Sequence, residues 1–182
     1  MPGYELKTSE PVLDTKIFRV THDRAEHPSG AVLDRHIVHN RPAAVMLARD
    51  SERRVLLIRQ YRLPVRKELL ELPAGRCDGD ETMLETAQRE LTEETGYSAA
   101  RWTPLTDFYS APGFSSEHMY AFLAEELTPG TASPEPYEII ESIGSLGRMP
   151  WRQSERATSA MRKRSRRCST VKRSAYNAPN AS

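Results

Sequence analysis

The chain has 182 residues, of which 38% are apolar and 28% are charged, enough for one domain with a proper core and little more. The longest apolar run, AAVMLA at 43–48, is too short to span a bilayer, and the N-terminus has no charged-then-apolar signal pattern. We therefore expect a cytoplasmic protein with no membrane partner.

The charge of the chain is unevenly distributed. The net charge is +1, but residues 147–182 hold ten Lys and Arg against one acid, so the first 146 residues carry a net charge of −8. The two cysteines, Cys77 and Cys168, are too few for a disulfide framework. The acidic body and the basic tail therefore need separate interpretations.

The first part of the chain predicts β-structure. Residues 16–24 and 31–38 are rich in β-branched side chains and flank the turn signal HPSG, which predicts a hairpin. Apolar runs at 43–48 and 54–62 flank RDSER and predict a second strand pair. ELLELPAG, at 68–75, predicts a short strand that ends in a Pro/Gly loop.

A single helix is predicted between strands, over residues 82–95. Thr82 followed by Glu85 is a capping-box pattern, and Gly96 suits the left-handed residue after a helix end. The apolar face comprises Met83, Leu84, Ala87 and Leu91. Strands are predicted again at 102–112, 118–127 and 137–142. Strands around one central helix indicate an α+β fold.

The predicted helix carries a dense group of carboxylates. Glu90 and Glu94 lie four residues apart on one face, with Glu93 beside them, and like charges at this spacing cost about 0.2–0.5 kcal/mol per pair. Arg89 is four residues from both Glu85 and Glu93 and could pair with them. Two readings stay open from the charge pattern: a solvated acidic face, or a site for a hard divalent cation such as Mg²⁺.

The spacing of the fixed residues around this helix favours the second reading. The segment reads Gly75, five residues, Glu81, seven residues, Arg89-Glu90-Leu91, one residue, Glu93-Glu94, one residue and Gly96-Tyr97. This pattern resembles the Nudix box, the signature of the Nudix hydrolases. Tyr97 departs mildly from it, since an aliphatic residue is usual there, but its ring can pack as a large apolar side chain.

The resemblance implies a Nudix-type α/β/α sandwich around a mixed sheet. We expect residues 43–146 to form the hydrolase domain and residues 1–42 to form a β-hairpin region that contacts the partner subunit of a homodimer. Residues 147–182 form a tail that does not fit the family pattern.

The resemblance also implies a reaction, the hydrolysis of a nucleoside diphosphate linked to another group, with Mg²⁺ or Mn²⁺ and an activated water. Carried onto this chain, Glu90, Glu94 and the Ala74 carbonyl would bind the metal. Glu93 would lie close to the metal as a catalytic group, and Arg89 would orient the glutamates.

Sequence beside the box resembles the ADP-ribose pyrophosphatase branch of the family. The signals are RQYRLPVRKELLELPAG at 59–75, Pro112 at 16 residues beyond Gly96, and Glu117 in PGFSSE. The implied reaction converts ADP-ribose to AMP and ribose 5-phosphate. Two alternatives are a pyrophosphatase for another nucleotide sugar, such as GDP-mannose or ADP-glucose, and a non-catalytic nucleotide sensor.

Arginines before the box and acids after it complete the candidate site. Arg62 and Arg59 can donate to phosphate or ribose oxygens, and Pro112 and Glu117 would line the substrate. The resemblance implies a glutamate on a late loop as general base, for which Glu138 is the first choice and Glu135 the second.

The basic tail has three readings. RKRSRR at 162–167 could form a patch for nucleic acid or an anionic membrane. The tail could instead be disordered, or the reading frame could depart from the ancestral sequence near residue 143, where apolar periodicity is lost. We favour the last two, and therefore expect no nucleic-acid partner.

Overall fold

The computed structural model describes residues 3–134 and 140–146. In chain order the elements are β1 (Glu5–Asp14), β2 (Phe18–Glu26), β3 (Val32–Asn40), β4 (Ala43–Ala48), β5 (Val55–Arg62), β6 (Lys67–Glu71), β7 (Ala74–Arg76), α1 (Met83–Thr95), β8 (Tyr97–Tyr109), β9 (His118–Pro129) and β10 (Ile140–Leu146). The strands form three sheets, ordered β1-β2-β3, β10-β5-β6 and β7-β4-β9-β8. The basic tail and the candidate bases Glu135 and Glu138 lie outside the described residues.

The four-stranded sheet is mixed and holds the core. β4 runs parallel to β9 and antiparallel to β7, while β8 and β9 are antiparallel. Alternate residues of β4, Ala44, Met46 and Ala48, are fully buried, because successive strand side chains project to opposite faces and this face is covered. They pack in one cluster with Ala87 and Leu91 of α1. The helix is thereby fixed on the sheet that carries β7.

The predicted helix is confirmed, including both of its ends. The Thr82 hydroxyl accepts from the Glu85 backbone N–H, and the Glu85 carboxylate accepts from the Thr82 N–H, which completes a capping box. Gly96 has a φ of 74°, the left-handed conformation expected after a helix end. The prediction for Leu84 is wrong, since the residue is 39% exposed, whereas the prediction for Met83 is confirmed, since it packs against the core from the first turn.

The second predicted strand pair is wrong in its pairing. β4 and β5 both form, but in different sheets, joined by one isolated bridge between Arg49 and Val55. β7 and β9 occupy the two edges of β4, so no edge is left for β5. The predicted Pro/Gly loop also differs, since Ala74–Arg76 forms the short strand β7.

The N-terminal sheet contains the predicted hairpin and one strand that was not predicted. β2 and β3 pair antiparallel from Phe18↔Asn40 to Glu26↔Val32. β1 adds to β2, and every residue of β1 is exposed. Because none of its faces is buried, β1 lacks the apolar alternation by which a strand is recognised in a sequence.

The remaining predicted strands match β8, β9 and β10, although residues 137–139 lie outside the described part. Around one helix, these sheets confirm the α+β prediction. Within the described ranges, no helix is long and apolar enough to cross a membrane.

Candidate active site

Arg89 is the centre of a group of carboxylates on α1 and the loop before it. Its guanidinium donates to both carboxylate oxygens of Glu81, at 2.7 and 2.9 Å, and from Nη1 to Glu90 at 2.9 Å and Glu93 at 3.0 Å. Nη2 also donates to the Arg76 carbonyl at 3.0 Å. We call Glu81, Arg89, Glu90, Glu93 and Glu94 the Arg89 cluster. Arg89 thus ties the helix to the loop that follows β7.

The predicted partners of Arg89 are correct for Glu93 and wrong for Glu85. The Glu85 carboxylate is taken by the Thr82 backbone in the capping box. Glu81 pairs with Arg89 in place of Glu85, and the Glu81 carboxylate also accepts from the Thr86 hydroxyl and the Asp78 N–H. The loop therefore folds back on the helix through Glu81.

The hydrogen bonds from Arg89, followed by the backbone hydrogen bond from Asp78, lower the pKa of Glu81 from 4.5 to about 2. Conversely, the carboxylates raise the pKa of Arg89, most of all through Glu81. Both groups are therefore charged at neutral pH.

The pKa of Glu81 predicts a specific acid sensitivity. A carboxyl whose pKa is lowered on folding stabilises the fold above its unfolded value of 4.5, and this contribution is lost as pH falls towards about 2. Arg89→Met is expected to lower the urea unfolding midpoint at pH 7, and the gap to wild type should narrow at pH 3. The control is Arg24→Met, which breaks an exposed pair with Glu26. An equal gap at both pH values would contradict this assignment.

Glu94 is held against β7 by the backbone. The residue is only 5% exposed, and its Oε2 accepts from the Ala74 N–H at 3.0 Å. A buried carboxylate is costly unless it is hydrogen-bonded or balanced by cations. Glu94 therefore lies at a fixed point beside the Ala74 backbone.

Glu90 approaches the same strand through a glycine. A Cβ added to Gly75 would lie 1.8 Å from the Glu90 Cδ and 2.1 and 2.2 Å from its two oxygens. The carboxylate therefore fills the space that a side chain at this position would need. This close approach requires glycine, and it brings Glu90 and Glu94 to adjacent residues of β7.

The donor set fits a hard divalent cation. Three carboxylates accept from one guanidinium and a fourth, Glu94, lies beside them on α1, which leaves an excess of negative charge. The oxygens of Glu90, Glu94 and the Ala74 backbone are of the kind that Mg²⁺ prefers. Across residues 3–134 and 140–146, no group of three or more His, Cys, Asp or Glu side chains is arranged to hold a metal by itself. The two carboxylates of Glu90 and Glu94 suit Mg²⁺, which takes one or two carboxylates and completes its shell with water and substrate phosphates.

The other residues that the sequence singled out lie on separate elements. Arg62 donates from Nε and Nη2 to Glu71 at 3.0 and 2.7 Å across the β5–β6 hairpin. Arg59 is an exposed residue of β5. Glu117 accepts from the Ser110 hydroxyl at 2.6 Å, in the loop between β8 and β9.

The loop between β8 and β9, residues 110–117, contains both Pro112 and Glu117. It docks on β3 through two backbone bonds, from the Val38 N–H to the Phe114 carbonyl and from the Ser116 N–H to the Val38 carbonyl. Pro112 is exposed in this loop. The loop thus joins the N-terminal sheet to the central sheet.

The role of Gly75 does not follow from the sequence alone. Its position marks the loop at one end of the box, but its contact with Glu90 depends on the pairing of β7. The fixed spacing between Gly75 and Glu90 was the available signal, and only the fold explains it.

Comparisons with known proteins give matches over most of the chain. The family model described as NUDIX domain matches residues 39–167. The ADP-ribose pyrophosphatase of Bacillus subtilis (strain 168) is 38% identical over 130 residues, which cover 70% of each protein. That of Mycobacterium tuberculosis (strain ATCC 25618 / H37Rv) is 36% identical over 126 residues, 68% of this chain and 60% of that protein.

A solved structure has the same fold. The crystal structure of an ADP compounds hydrolase aligns with a TM-score of 0.71 at 23% identity, over 92% of this chain and 97% of that one. The predicted mixed-sheet sandwich is thereby confirmed.

Proposed function

The chain belongs to the Nudix hydrolase family, and from this premise we propose that it hydrolyses the pyrophosphate bond of ADP-ribose, giving AMP and ribose 5-phosphate with Mg²⁺ or Mn²⁺. The choice of ADP-ribose as the substrate rests on the 38% identity, over 70% of both proteins, to an ADP-ribose pyrophosphatase. The grouping of Glu90 and Glu94 at β7 supports the chemistry.

The charges of the Arg89 cluster support a role for each residue. Glu90, Glu94 and the Ala74 carbonyl would bind the cation, which when bound supplies stabilisation of phosphate charge and lowers the pKa of a water molecule. Arg89 would orient the carboxylate of Glu90 through the 2.9 Å hydrogen bond. Glu93, whose side chain is 41% exposed, would face the substrate as the catalytic group beside the cation.

Binding of the substrate would draw on Arg62, Arg59, Pro112 and Glu117. The ion pair with Glu71 holds the Arg62 guanidinium in a fixed orientation, which lowers the entropy cost of binding a phosphate or ribose oxygen. As general base we propose Glu138, which lies outside the described residues.

A direct assay tests the reaction. Purified protein is incubated with ADP-ribose and Mg²⁺ or Mn²⁺, and AMP is measured, with the same reaction in excess EDTA as the metal-free reference. Turnover equal to that of the reference would refute the proposal. Tight binding of ADP-ribose without hydrolysis would instead support a nucleotide sensor.

ADP compounds other than ADP-ribose are a second class of candidate substrates. The ADP compounds hydrolase NudE of Escherichia coli (strain K12) is 32% identical over 132 residues, 70% of each protein. Comparing kcat/KM for ADP-ribose, ADP-glucose and GDP-mannose separates the candidates. A higher value for either sugar nucleotide would move the assignment to that substrate.

We also propose a homodimer, formed through the N-terminal sheet. Leu6, Val12 and Leu13 of β1 are 49–57% exposed in the single chain, and a small sheet needs a covered apolar face for stability. The expected result is a dimer by light scattering, and a Leu6→Glu/Val12→Glu variant should shift it towards the monomer. A monomeric wild type would contradict the proposal.

A further inference from the structure

Three side chains form a hydrogen-bonded chain on the strand pair β8–β9. The His118 Nε2 lies 2.6 Å from an Asp107 carboxylate oxygen, and the Tyr120 hydroxyl lies 3.2 Å from the His118 Nδ1. The ring of Tyr109 stacks on His118, with centroids 4.6 Å apart and an interplanar angle of 17°. We call Asp107, His118 and Tyr120 the β8–β9 relay.

The register of the central sheet places the relay on the face that carries Glu90. Ala44 is paired with Gly75 on one side and with Tyr120 on the other, and Tyr120 is paired with Asp107. Residues directly opposite one another project to the same face of a sheet. The Glu90 carboxylate occupies the Cβ position of Gly75 and therefore lies on this face. Since neighbouring strands are about 4.8 Å apart, Tyr120 is about 10 Å from Gly75 along this row.

A cavity of about 280 Å³ adjoins the relay. Its polar lining is Thr106, Asp107 and Tyr120, and its apolar lining includes Leu105 and Phe122. A register shift at Leu105 interrupts the ladder between β8 and β9 there. Ligand pockets usually measure about 300–1,000 Å³, so this space suits a single sugar ring better than a whole nucleotide.

One His118 tautomer makes the relay a set of acceptors. In this tautomer Nε2–H donates to the Asp107 carboxylate, and Nδ1 accepts from the Tyr120 hydroxyl. The Tyr120 oxygen and the Asp107 carboxylate can then accept hydrogen bonds from a ligand. Sugar hydroxyls are donors and match this set, whereas an anionic group would be repelled by Asp107.

We propose that the β8–β9 relay binds the hydroxyl groups of the sugar on the non-nucleotide side of the substrate, and so selects that group. This inference rests on the proposed hydrolysis of a nucleoside diphosphate sugar. A pyrophosphate held at Glu90 has a sugar attached directly to its phosphate, and Tyr120 lies on the same sheet face as Gly75, about 10 Å away. Tyr120 is then a specificity-determining residue.

The test compares two substrates in one variant. Full-length wild type and Tyr120→Phe are assayed with ADP-ribose and with the β-methyl ester of ADP, whose leaving group has no free hydroxyls. Loss of one neutral hydrogen bond should raise KM for ADP-ribose about 2- to 10-fold and leave KM for the methyl ester unchanged. Tyr61→Phe, an exposed tyrosine on β5, is the matched control and should change neither value.

The outcomes separate the inference from its premise. A purely structural role of Tyr120 would lower the melting temperature or affect both substrates equally, and an unchanged ratio of the two KM values in an active enzyme would overturn the inference alone. If the wild type hydrolyses no nucleoside diphosphate sugar, the proposed function falls and the inference falls with it. A second variant, Asp107→Asn, should reproduce the selective increase in KM, because it removes the anion that orients His118.

Discussion

Replacing Glu94 with Gln is expected to lower kcat for ADP-ribose about 10²–10⁴-fold, which corresponds to the several kcal/mol that a cation contributes to the transition state. Gln has the same shape, and its amide oxygen can still accept from the Ala74 N–H, which lies 3.0 Å from the Glu94 carboxylate in the wild type. The change therefore removes charge from a residue that is 5% exposed and keeps the local packing. The measurement is AMP release at saturating ADP-ribose, over a Mg²⁺ titration.

The matched control removes a carboxylate elsewhere. The Glu52 side chain is 70% exposed and pairs with Arg54 at 3.6 Å, in the turn before β5. Glu52→Gln should leave kcat and the Mg²⁺ dependence unchanged. Wild-type kcat in a folded Glu94→Gln variant would exclude Glu94 as a ligand for the catalytic cation.

The helix could be predicted almost completely because its signals are local. Thr82, Glu85 and Gly96 act within a few residues of the helix ends, and the spacing of Ala87 and Leu91 is enough to identify the buried face. Each of these interactions lies within α1, at its ends, or where α1 packs against one sheet. No long-range pairing had to be known.

Partners that are distant in the sequence could not be predicted in the same way. Spacing on the helix favoured Glu85 as a partner of Arg89, whereas the loop brings in Glu81, eight residues upstream. Similarly, nothing local in AAVMLA indicates that β4 would lie between β7 and β9 instead of beside β5. Strand pairing depends on the whole sheet, so its prediction from one segment failed.

The β8–β9 relay belongs to the same class of hidden features. Asp107 and His118 are eleven residues apart, and only the antiparallel register brings them to 2.6 Å. The sequence identified the helix carboxylates because helical spacing groups them directly. The residues of the β8–β9 relay could be grouped only once the fold was known.

Replacing Gly75 with Ala is expected to lower kcat about 10²-fold, the effect of displacing a catalytic group by about 1 Å. The added Cβ would lie 1.8 Å from the Glu90 Cδ, so the carboxylate has to move. The colliding atoms are the end of a flexible side chain, so the fold can adapt at little cost. Gly75 does not have a positive φ, and Ala is compatible with its backbone, so the free energy of unfolding should change by less than about 1 kcal/mol.

Separating activity from stability is what tests the role of the glycine. Gly3→Ala, where a Cβ meets nothing within 4 Å, should affect neither quantity. If Gly75→Ala acts through Glu90, adding it to Glu90→Gln should cost little further activity, because residues that act as a unit are not additive. Fully additive losses, or a large drop in stability, would show that the glycine is required for another reason than the position of the Glu90 carboxylate.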